Sequence, residues 1–304
     1  MTPKVKIAVI AGPTCVGKSS VALYCASKLG ANIVNADSLS FYRYLDIGTA
    51  KPSLAERAKV PHHLIDILDP ADHFCAADYI NLARPLIETL GVQGTPVLVV
   101  GGTGLYLRSL TKGLFDGPGR DDGLRAQLRE RAKKGEDLYA LLSQIDPLTA
   151  QRLKRGDTTR VERALEFFEL TGESISIFQE RHGLRESYFE TKTIVLEREV
   201  KELDGLIEAR TEEMFNRGLI EETENLLLKG YSKEIKPLKA VGYLESVEVI
   251  LGNLTMNEAK KQTFIRTRRL AKRQRTWFRG QCPEAERLSA KAEVVLKALE
   301  GFWG

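Results

Sequence analysis

The sequence has few cysteines, few histidines and no long apolar run. Its four cysteines form no Cys-x-x-Cys pair and no cluster with zinc-finger spacing, so we expect free thiols in a reducing compartment. No apolar stretch approaches the ~18 residues that a membrane span requires, which argues against a transmembrane protein. The chain starts without the layout of a signal peptide, so we expect a cytoplasmic protein without membrane contact.

The composition is that of a globular protein. Hydrophobic residues make up 43% and charged residues 28% of the 304 positions, which argues against a disordered chain. The net charge of +4 is mild and excludes little by itself. The length suggests two domains, or one large domain with an insertion.

Apolar runs and helical patterns alternate along the chain, which predicts an α/β fold with a parallel sheet. The runs at 6–11, 31–36, 95–100 and 191–196 predict strands. Between the turn-rich segment 116–123 and a second boundary near 185–190, only helical patterns occur. We therefore predict a core of residues 1–115 and 190–304 with an all-helical insertion of residues 116–189. Further helices are predicted at 19–29, 200–217, 220–229, 237–251 and 257–279.

One phosphate-binding motif follows the first predicted strand. The residues from Gly12 to Ser19 (Gly12, Pro13, Thr14, Cys15, Val16, Gly17, Lys18 and Ser19) match G-x-x-x-x-G-K-[ST] completely, between a strand and a helix. Such a loop holds phosphate oxygens with backbone N–H groups, with Lys18 reaching the phosphates and Ser19 binding Mg²⁺. The core therefore resembles P-loop NTPases in its expected architecture.

An acidic residue follows the second predicted strand. Asp37 should face the phosphate loop, because the carboxyl ends of parallel strands share one crevice. It has two interpretations, as the base that deprotonates a nucleophile or as a residue that caps a turn or holds the Mg²⁺ water shell. The run 97–100 ends in Gly101 and has no acid, which weakens motor and GTPase interpretations.

Positive charge is concentrated near the C-terminus. Seven Lys and Arg residues lie between Arg266 and Arg279 with no acid among them, next to Trp277 and Phe278. This density favours contact with a nucleic-acid backbone and stacked bases, although a solvated helix face is the alternative.

Several segments together resemble one family, the bacterial-type tRNA dimethylallyltransferases (tRNA isopentenyltransferases). They are residues 12–19, 35–38, 42–43 with 46–52, 61–66, 101–106, 160–166, 241–243 and 271–278, in family order over nearly the whole chain. The resemblance implies transfer of a dimethylallyl group from dimethylallyl pyrophosphate to the exocyclic amine of the adenine 3′ of a tRNA anticodon.

The resemblance also implies roles for individual residues. Asp37, Thr103 and Arg210 would be catalytic, residues 12–19 would bind pyrophosphate, and Ser19 would hold Mg²⁺, the expected cofactor. The tRNA anticodon stem-loop would contact both the insertion and the core, and we expect a monomer. The expected tRNA contacts are Asp37, Ser38, Leu39, Ser40, Thr159, Arg160, Val161, Glu162, Arg163, Arg268, Arg269, Lys272, Arg273 and Gln274.

The chain departs from the family where Ser40 replaces the usual Gln, and Ser cannot make the bidentate contact to an adenine edge that Gln could make. Three alternatives share some of these features. A small-molecule kinase would use the phosphate loop but has little use for the basic helix. An adenylate isopentenyltransferase would prenylate a free nucleotide and need no extended basic face. A non-enzymatic RNA-binding protein would not need intact Lys18 and Ser19.

Overall fold

A parallel six-stranded sheet organises the fold. The computed structural model describes residues 4–114, 117–182 and 187–303. The strands in that part of the chain are β1 (Lys6–Ala11), β2 (Asn32–Asn35), β3 (His62–His63), β4 (Val97–Gly101), β5 (Glu190–Glu197) and β6 (Glu286–Ser289). Their order in the sheet is β3-β2-β4-β1-β5-β6, and every neighbouring pair is parallel. The predicted parallel α/β fold is confirmed.

Four of the strands lie where apolar runs predict them, and two have no such signal in the sequence. β3 has only two residues, and β6 has the sequence Glu-Arg-Leu-Ser, which carries no apolar run. Both lie at the edges of the sheet, where a strand needs fewer buried side chains. β1 and β4, at the centre, are almost completely buried.

Fourteen α-helices lie within the described ranges. They are α1 (Lys18–Leu29), α2 (Leu54–Lys59), α3 (Ala76–Val92), α4 (Gly104–Lys112), α5 (Asp122–Lys133), α6 (Leu138–Ile145), α7 (Pro147–Arg152), α8 (Thr158–Thr171), α9 (Ile175–His182), α10 (Val200–Asn216), α11 (Leu219–Leu228), α12 (Tyr243–Ile250), α13 (Met256–Gln281) and α14 (Ala292–Leu299). None of these helices is long and apolar enough to cross a membrane.

One predicted helix is interrupted. The pattern over 237–251 predicts a continuous helix, but the structure has a single 3₁₀ turn at Pro237–Lys239 and then α12. Ala240 is extended, and Gly242 has φ 94°, a left-handed conformation that a helix cannot include. The prediction was wrong because the apolar spacing continues across Gly242, whose positive φ ends the helical conformation there. Thr255 forms a capping box with Glu258 at the start of α13, and Gly172, in a left-handed conformation, caps the end of α8.

The chain divides into two compact units, Met1–Thr111 with Ser187–Gly304, and Lys112–Glu186. Parts of the predicted boundaries, at 115–116 and 185–186, lie outside the described residues. The larger unit holds the sheet, and its main apolar core joins strands β1 and β5 to α1, α10, α13 and α14. Trp303 belongs to this core and donates its indole N–H to the carbonyl of Lys6 at 3.2 Å.

The smaller unit contains α5 to α9 around a core of its own. Leu128, Leu142, Leu165 and Phe167 are buried there at 0–1% exposure. Glu166 of α8 is also fully buried, and it accepts hydrogen bonds from the guanidinium groups of Arg125 and Arg163. Arg125 lies on α5, so this ion cluster ties α8 to α5. Removing one of the arginines would leave the buried carboxylate with an unpaired charge.

Candidate active site

The ends of three adjacent strands carry the predicted site. β1 leads into the phosphate loop, β2 leads to Asp37, and β4, which pairs with both, leads to Gly102 and Thr103. Gly12 has φ 147°, and a Cβ there would lie 2.8 Å from the carbonyl oxygen of Leu196. Only glycine therefore fits the start of the loop. Gly17, with φ 105°, then turns the chain into α1.

Lys18 lies within the phosphate loop. Its Nζ donates hydrogen bonds to the carbonyls of Gly12 at 3.1 Å and Pro13 at 2.8 Å. Burial, together with the nearby cation Arg210, lowers the pKa of Lys18 to about 8, although the Asp37 carboxylate opposes this shift. The ammonium group is thus in a site that favours the approach of an anion.

Asp37 is held by its neighbours in the chain. Its backbone N–H donates to Asn35 Oδ1 at 3.0 Å, and its Oδ1 accepts from the backbone N–H of Leu39 at 3.1 Å. Thr103 Oγ1 accepts from the backbone N–H of Ser38 at 3.1 Å. The hydroxyl that follows β4 is therefore bonded to the residue next to Asp37, as the shared crevice predicts.

A cleft of about 540 Å³ brings most of these groups together. Thr14, Lys18, Ser19, Asp37 and Arg210 all contribute to its lining. The remaining lining includes apolar side chains as well as polar ones, among them Ile33, Ser40, Ala50, Pro52, Ile65, Val100 and Glu213. The site thus combines cations for phosphate, a carboxylate that can accept a proton, and an apolar wall.

Arg210 reaches this cleft from α10, far along the chain from the phosphate loop. Its Nη1 donates to Thr14 Oγ1 at 3.4 Å and to Cys15 Sγ at 3.7 Å. A guanidinium at this position offers further donors to a bound phosphate. The structure therefore places Arg210 beside the phosphate loop, as the resemblance implies.

Gln274 lies between two loops of the site. Its Oε1 accepts from the backbone N–H of Thr14 at 2.8 Å, and its Nε2 donates to the carbonyl of Gly102 at 3.0 Å. Trp277, one turn further along α13, packs on Gly104, where a Cβ would lie 2.3 Å from the indole ring. The side chain of Gln274 thus bonds to the protein backbone, although the resemblance implies a tRNA contact.

Other residues of α13 have different environments. Arg268 pairs with Asp204 of α10, and Arg266 pairs with Glu245 of α12. Arg269 and Lys272 are exposed, and both line a groove of about 510 Å³ beside α10. Arg273 is exposed as well. All four predicted basic contacts of α13 therefore have exposed side chains, and Arg268 also has an acidic partner.

The five predicted contacts in α8 also divide into two groups. Thr159 and Arg160 are exposed, whereas Val161 and Glu162 are buried at 2% and 9% exposure. Arg163 donates to the carbonyls of Pro118 at 2.7 Å and Gly119 at 3.3 Å, besides Glu166. Arg163 therefore fixes the start of the smaller unit, and Thr159 and Arg160 have the exposed side chains.

Adjacent histidines form β3, and they are not arranged as metal ligands. His62 Nδ1 contacts the carbonyl of Val60, and His63 Nε2 contacts Asn32 Oδ1, both at 2.7 Å. The described residues contain no group of three or more His, Cys, Asp or Glu side chains that could hold a metal. Burial lowers the pKa of both imidazoles. The two imidazoles therefore bond to the protein itself, at separate positions.

Comparison with known proteins identifies the family. The family model described as IPP transferase matches residues 40–281, and one described as isopentenyl transferase matches residues 5–66. A protein named tRNA dimethylallyltransferase 1 from Citrifermentans bemidjiense is 45% identical over 90% of this chain and 89% of its own. The chain belongs to the IPP transferase family. Its relative from Geobacter metallireducens, named tRNA dimethylallyltransferase, is 43% identical over 99% of this chain and 98% of its own.

Solved structures of this family have the same fold. The tRNA isopentenylpyrophosphate transferase of Bacillus halodurans matches with a TM-score of 0.74 and 34% identity, over 99% of this chain and 97% of that one. A eukaryotic dimethylallyltransferase acting on tRNA matches with a TM-score of 0.82 over 97% of this chain and 77% of that one. Because its sequence is only 24% identical, the similarity to the eukaryotic enzyme shows a shared fold and nothing more. The resemblance stated from sequence is confirmed.

Sequence reasoning missed several residues of the cleft. Asn35, which holds Asp37, and the loop residues Thr49, Ala50 and Pro52 belong to segments quoted for the resemblance, but no role was predicted for them. Glu213 on α10 also lines the cleft. Its position, three residues after Arg210, is the signal that could have found it, because such residues share a helix face.

Proposed function

We propose that this enzyme transfers the dimethylallyl group of dimethylallyl pyrophosphate to the N6 amine of the adenine 3′-adjacent to the anticodon in tRNA. The observation that carries the proposal is the cleft in which Lys18, Ser19, Asp37 and Arg210 lie together. The family membership supports the same reaction. Since tRNA is the acceptor, the proposal places the reaction in the cytoplasm.

The reaction forms one bond and breaks one bond. The N6 nitrogen attacks the allylic C1 of the donor, the C1–O bond breaks, and pyrophosphate leaves with the bonding electrons. The Asp37 carboxylate accepts the proton that the amine loses. Lys18, Arg210 and the N-terminal amides of α1 bind the pyrophosphate and stabilise its growing charge.

Asp37 and Thr103 have related tasks in this proposal. The hydrogen bond between Leu39 N–H and Asp37 Oδ1 leaves the second carboxylate oxygen for the amine proton. Thr103 positions the Asp37 segment through Ser38 N–H. An exocyclic adenine amine is a weak nucleophile, so orientation at the allylic carbon lowers the barrier.

Mg²⁺ is the cofactor in this proposal, and the cleft residues fit it. The Ser19 hydroxyl and the Asp37 carboxylate line one cleft, and Mg²⁺ takes oxygen ligands from one or two protein groups, phosphates and water. Ser19 would hold it directly. When bound, Mg²⁺ supplies positive charge that makes pyrophosphate a better leaving group.

The anticodon stem-loop is the proposed acceptor region, bound by a monomer. An unpaired loop base leaves its stack at lower cost than a base in a duplex. The exposed side chains of Arg160, Arg269, Lys272 and Arg273 are candidates for phosphate contacts.

A transfer assay tests the proposal. Radiolabelled dimethylallyl pyrophosphate and Mg²⁺ are mixed with an unmodified anticodon stem-loop, the same stem-loop with guanine at the target position, AMP or ADP. We expect label only in the adenine-containing RNA, and more than a hundredfold loss with Asp37→Asn. Label in AMP or ADP would contradict the tRNA acceptor. Equal transfer by Asp37→Asn would contradict the role of Asp37. The mass of the RNA-bound complex, measured by light scattering, tests whether the enzyme acts as a monomer.

A further inference from the structure

The loop of residues 46–52 forms part of the cleft wall without carrying any of the assigned groups. Thr49, Ala50 and Pro52 line the cleft together with Ser19, Asp37 and Arg210. The loop contains no helix or strand, and Ala50 has a positive φ of 49°. Two turns within the segment hold part of it, from the Ala50 N–H to the Ile47 carbonyl and from the Lys51 N–H to the Asp46 carbonyl, both at 3.1 Å. Bonds from outside the segment hold the rest.

One carboxylate holds the first three residues of the loop through their backbone N–H groups. Glu222 Oε2 accepts from the backbone N–H groups of Asp46 at 2.9 Å and Ile47 at 2.8 Å, and Oε1 accepts from Gly48 at 3.3 Å. The hydroxyl of Tyr243 donates to the same Oε1 at 2.6 Å. Four donors therefore converge on one side chain, and charge-assisted bonds of this kind are stronger than neutral ones.

The ring of Tyr243 fixes the loop from a second direction. Tyr243 is fully buried, and a Cβ added to Gly48 would lie 2.4–2.7 Å from its ring atoms. The backbone of Gly48 thus rests directly on the aromatic ring. The close approach explains why glycine stands at this position.

Glu222 also connects the loop to the helix that carries Arg210. It lies on α11, which follows α10 after only Arg217 and Gly218. Arg210 and Glu213 of α10 line the same cleft as the loop. The Glu222 side chain thus connects the loop of residues 46–52 to α10 and α11, and α10 carries Arg210.

From this geometry we propose that Glu222 is a positioning residue for donor binding. It holds residues 46–48, and through them the wall formed by Thr49, Ala50 and Pro52, at a set distance from Arg210. The inference rests on the proposed function, because it takes dimethylallyl pyrophosphate as the ligand of the cleft. Glu222 does not touch the reacting atoms, and its effect is on the affinity of the site.

Glu222→Gln tests this role, with Glu224→Gln as the control, because Glu224 is exposed on the same helix. The amide keeps the size of the side chain but loses the charge that attracts the four donors. We expect the KM for dimethylallyl pyrophosphate to rise about tenfold while kcat stays within about threefold. Hydrogen exchange at the amides of 46–48 should accelerate, and exchange in the central strands should not. Glu224→Gln should change neither.

Two results would overturn the inference. The first is an unchanged KM in a folded Glu222→Gln protein. The second is unaltered exchange at 46–48. If that variant does not fold, Tyr243→Phe removes one donor but keeps the ring under Gly48, and it should raise KM and exchange in the same direction. No change with Tyr243→Phe would then overturn the inference. Exchange is measured without substrate. Absence of tRNA prenylation by the wild type therefore counts against the proposed function, and the exchange at 46–48 still tests whether Glu222 holds the loop.

Discussion

Gln274 Oε1 accepts a hydrogen bond of 2.8 Å from the backbone N–H of Thr14, across 260 positions of sequence. The other end of the same amide binds Gly102, so one side chain joins the loops that follow β1 and β4. The phosphate loop and the Thr103 segment are thereby held in one arrangement. One residue of the basic helix thus bridges two loops of the candidate site.

Replacing Gln274 by Ala should impair catalysis. The change leaves a backbone N–H and a carbonyl without their partners, at a cost of about 1–3 kcal/mol. We expect kcat/KM for tRNA prenylation to fall about 10- to 100-fold, with little change in RNA affinity. Gln262→Ala, at an exposed position of the same helix, is the matched control. A variant that loses RNA affinity but keeps kcat would identify Gln274 as an RNA contact.

Thr103 should be replaceable by Ser but not by Val. Val has nearly the same shape as Thr but lacks the oxygen that accepts from Ser38 N–H at 3.1 Å. The segment that carries Asp37 then loses a bond, so we expect kcat to fall about tenfold in Thr103→Val. Single-turnover transfer rates measure the effect. Thr103→Ser should recover most of the rate, and a failure to do so would show that the methyl group matters more.

The pH dependence of stability should report the environment of Lys18. Its pKa is about 8 in the folded protein against an ordinary value of 10.5, because burial disfavours the charged form. Between these values the unfolded chain binds more protons, so the free energy of unfolding should rise with pH in that window. Urea unfolding from about pH 7.5 to about pH 10.5 measures it. Lys18→Met should flatten the rise, while Lys59→Met, at an exposed position, should keep it.

Much of the site could be predicted because its signals are local. The phosphate loop and Asp37 each follow a strand, and one strand with its turn is visible in a short window of sequence. The roles of Gln274 and Glu222 could not be predicted in this way. Each depends on a helix docking against a loop 260 or about 175 positions away, and no periodicity encodes that contact. Glu222 and Gln274 are also ordinary polar residues on helices, a pattern typical of solvated faces.

The smaller unit should lose stability in acid through Glu166. Burial would raise the pKa of this carboxyl, but hydrogen bonds from Arg125, Arg163 and the Asp121 N–H outweigh it and lower the pKa to about 2. Its contribution to stability is therefore complete above the ordinary pKa of 4.5 and is lost as the pH falls towards 2.

The comparison of Glu166→Gln with Glu169→Gln tests this contribution, since Glu169 is exposed on the same helix. Thermal midpoints followed by circular dichroism between about pH 7 and about pH 2.5 are the measurement. We expect Glu166→Gln to be clearly destabilised at neutral pH, with a difference from wild type that shrinks in acid. A difference that stays constant with pH would mean that the variant acts through packing alone.

Arg160 and Arg163 are on the same helix turn, but their substitution should have different effects. Arg160 is exposed and pairs with Asp157, which is three residues before it. Arg160→Ala should weaken stem-loop binding and reduce the slope of log K against log salt by about 1, without lowering the melting temperature. Arg163→Ala should lower the melting temperature, because its guanidinium holds Pro118, Gly119 and the buried Glu166. Titrations at several salt concentrations, with melting curves of both variants, separate the two roles. An unchanged salt slope in Arg160→Ala would remove this residue from the RNA interface.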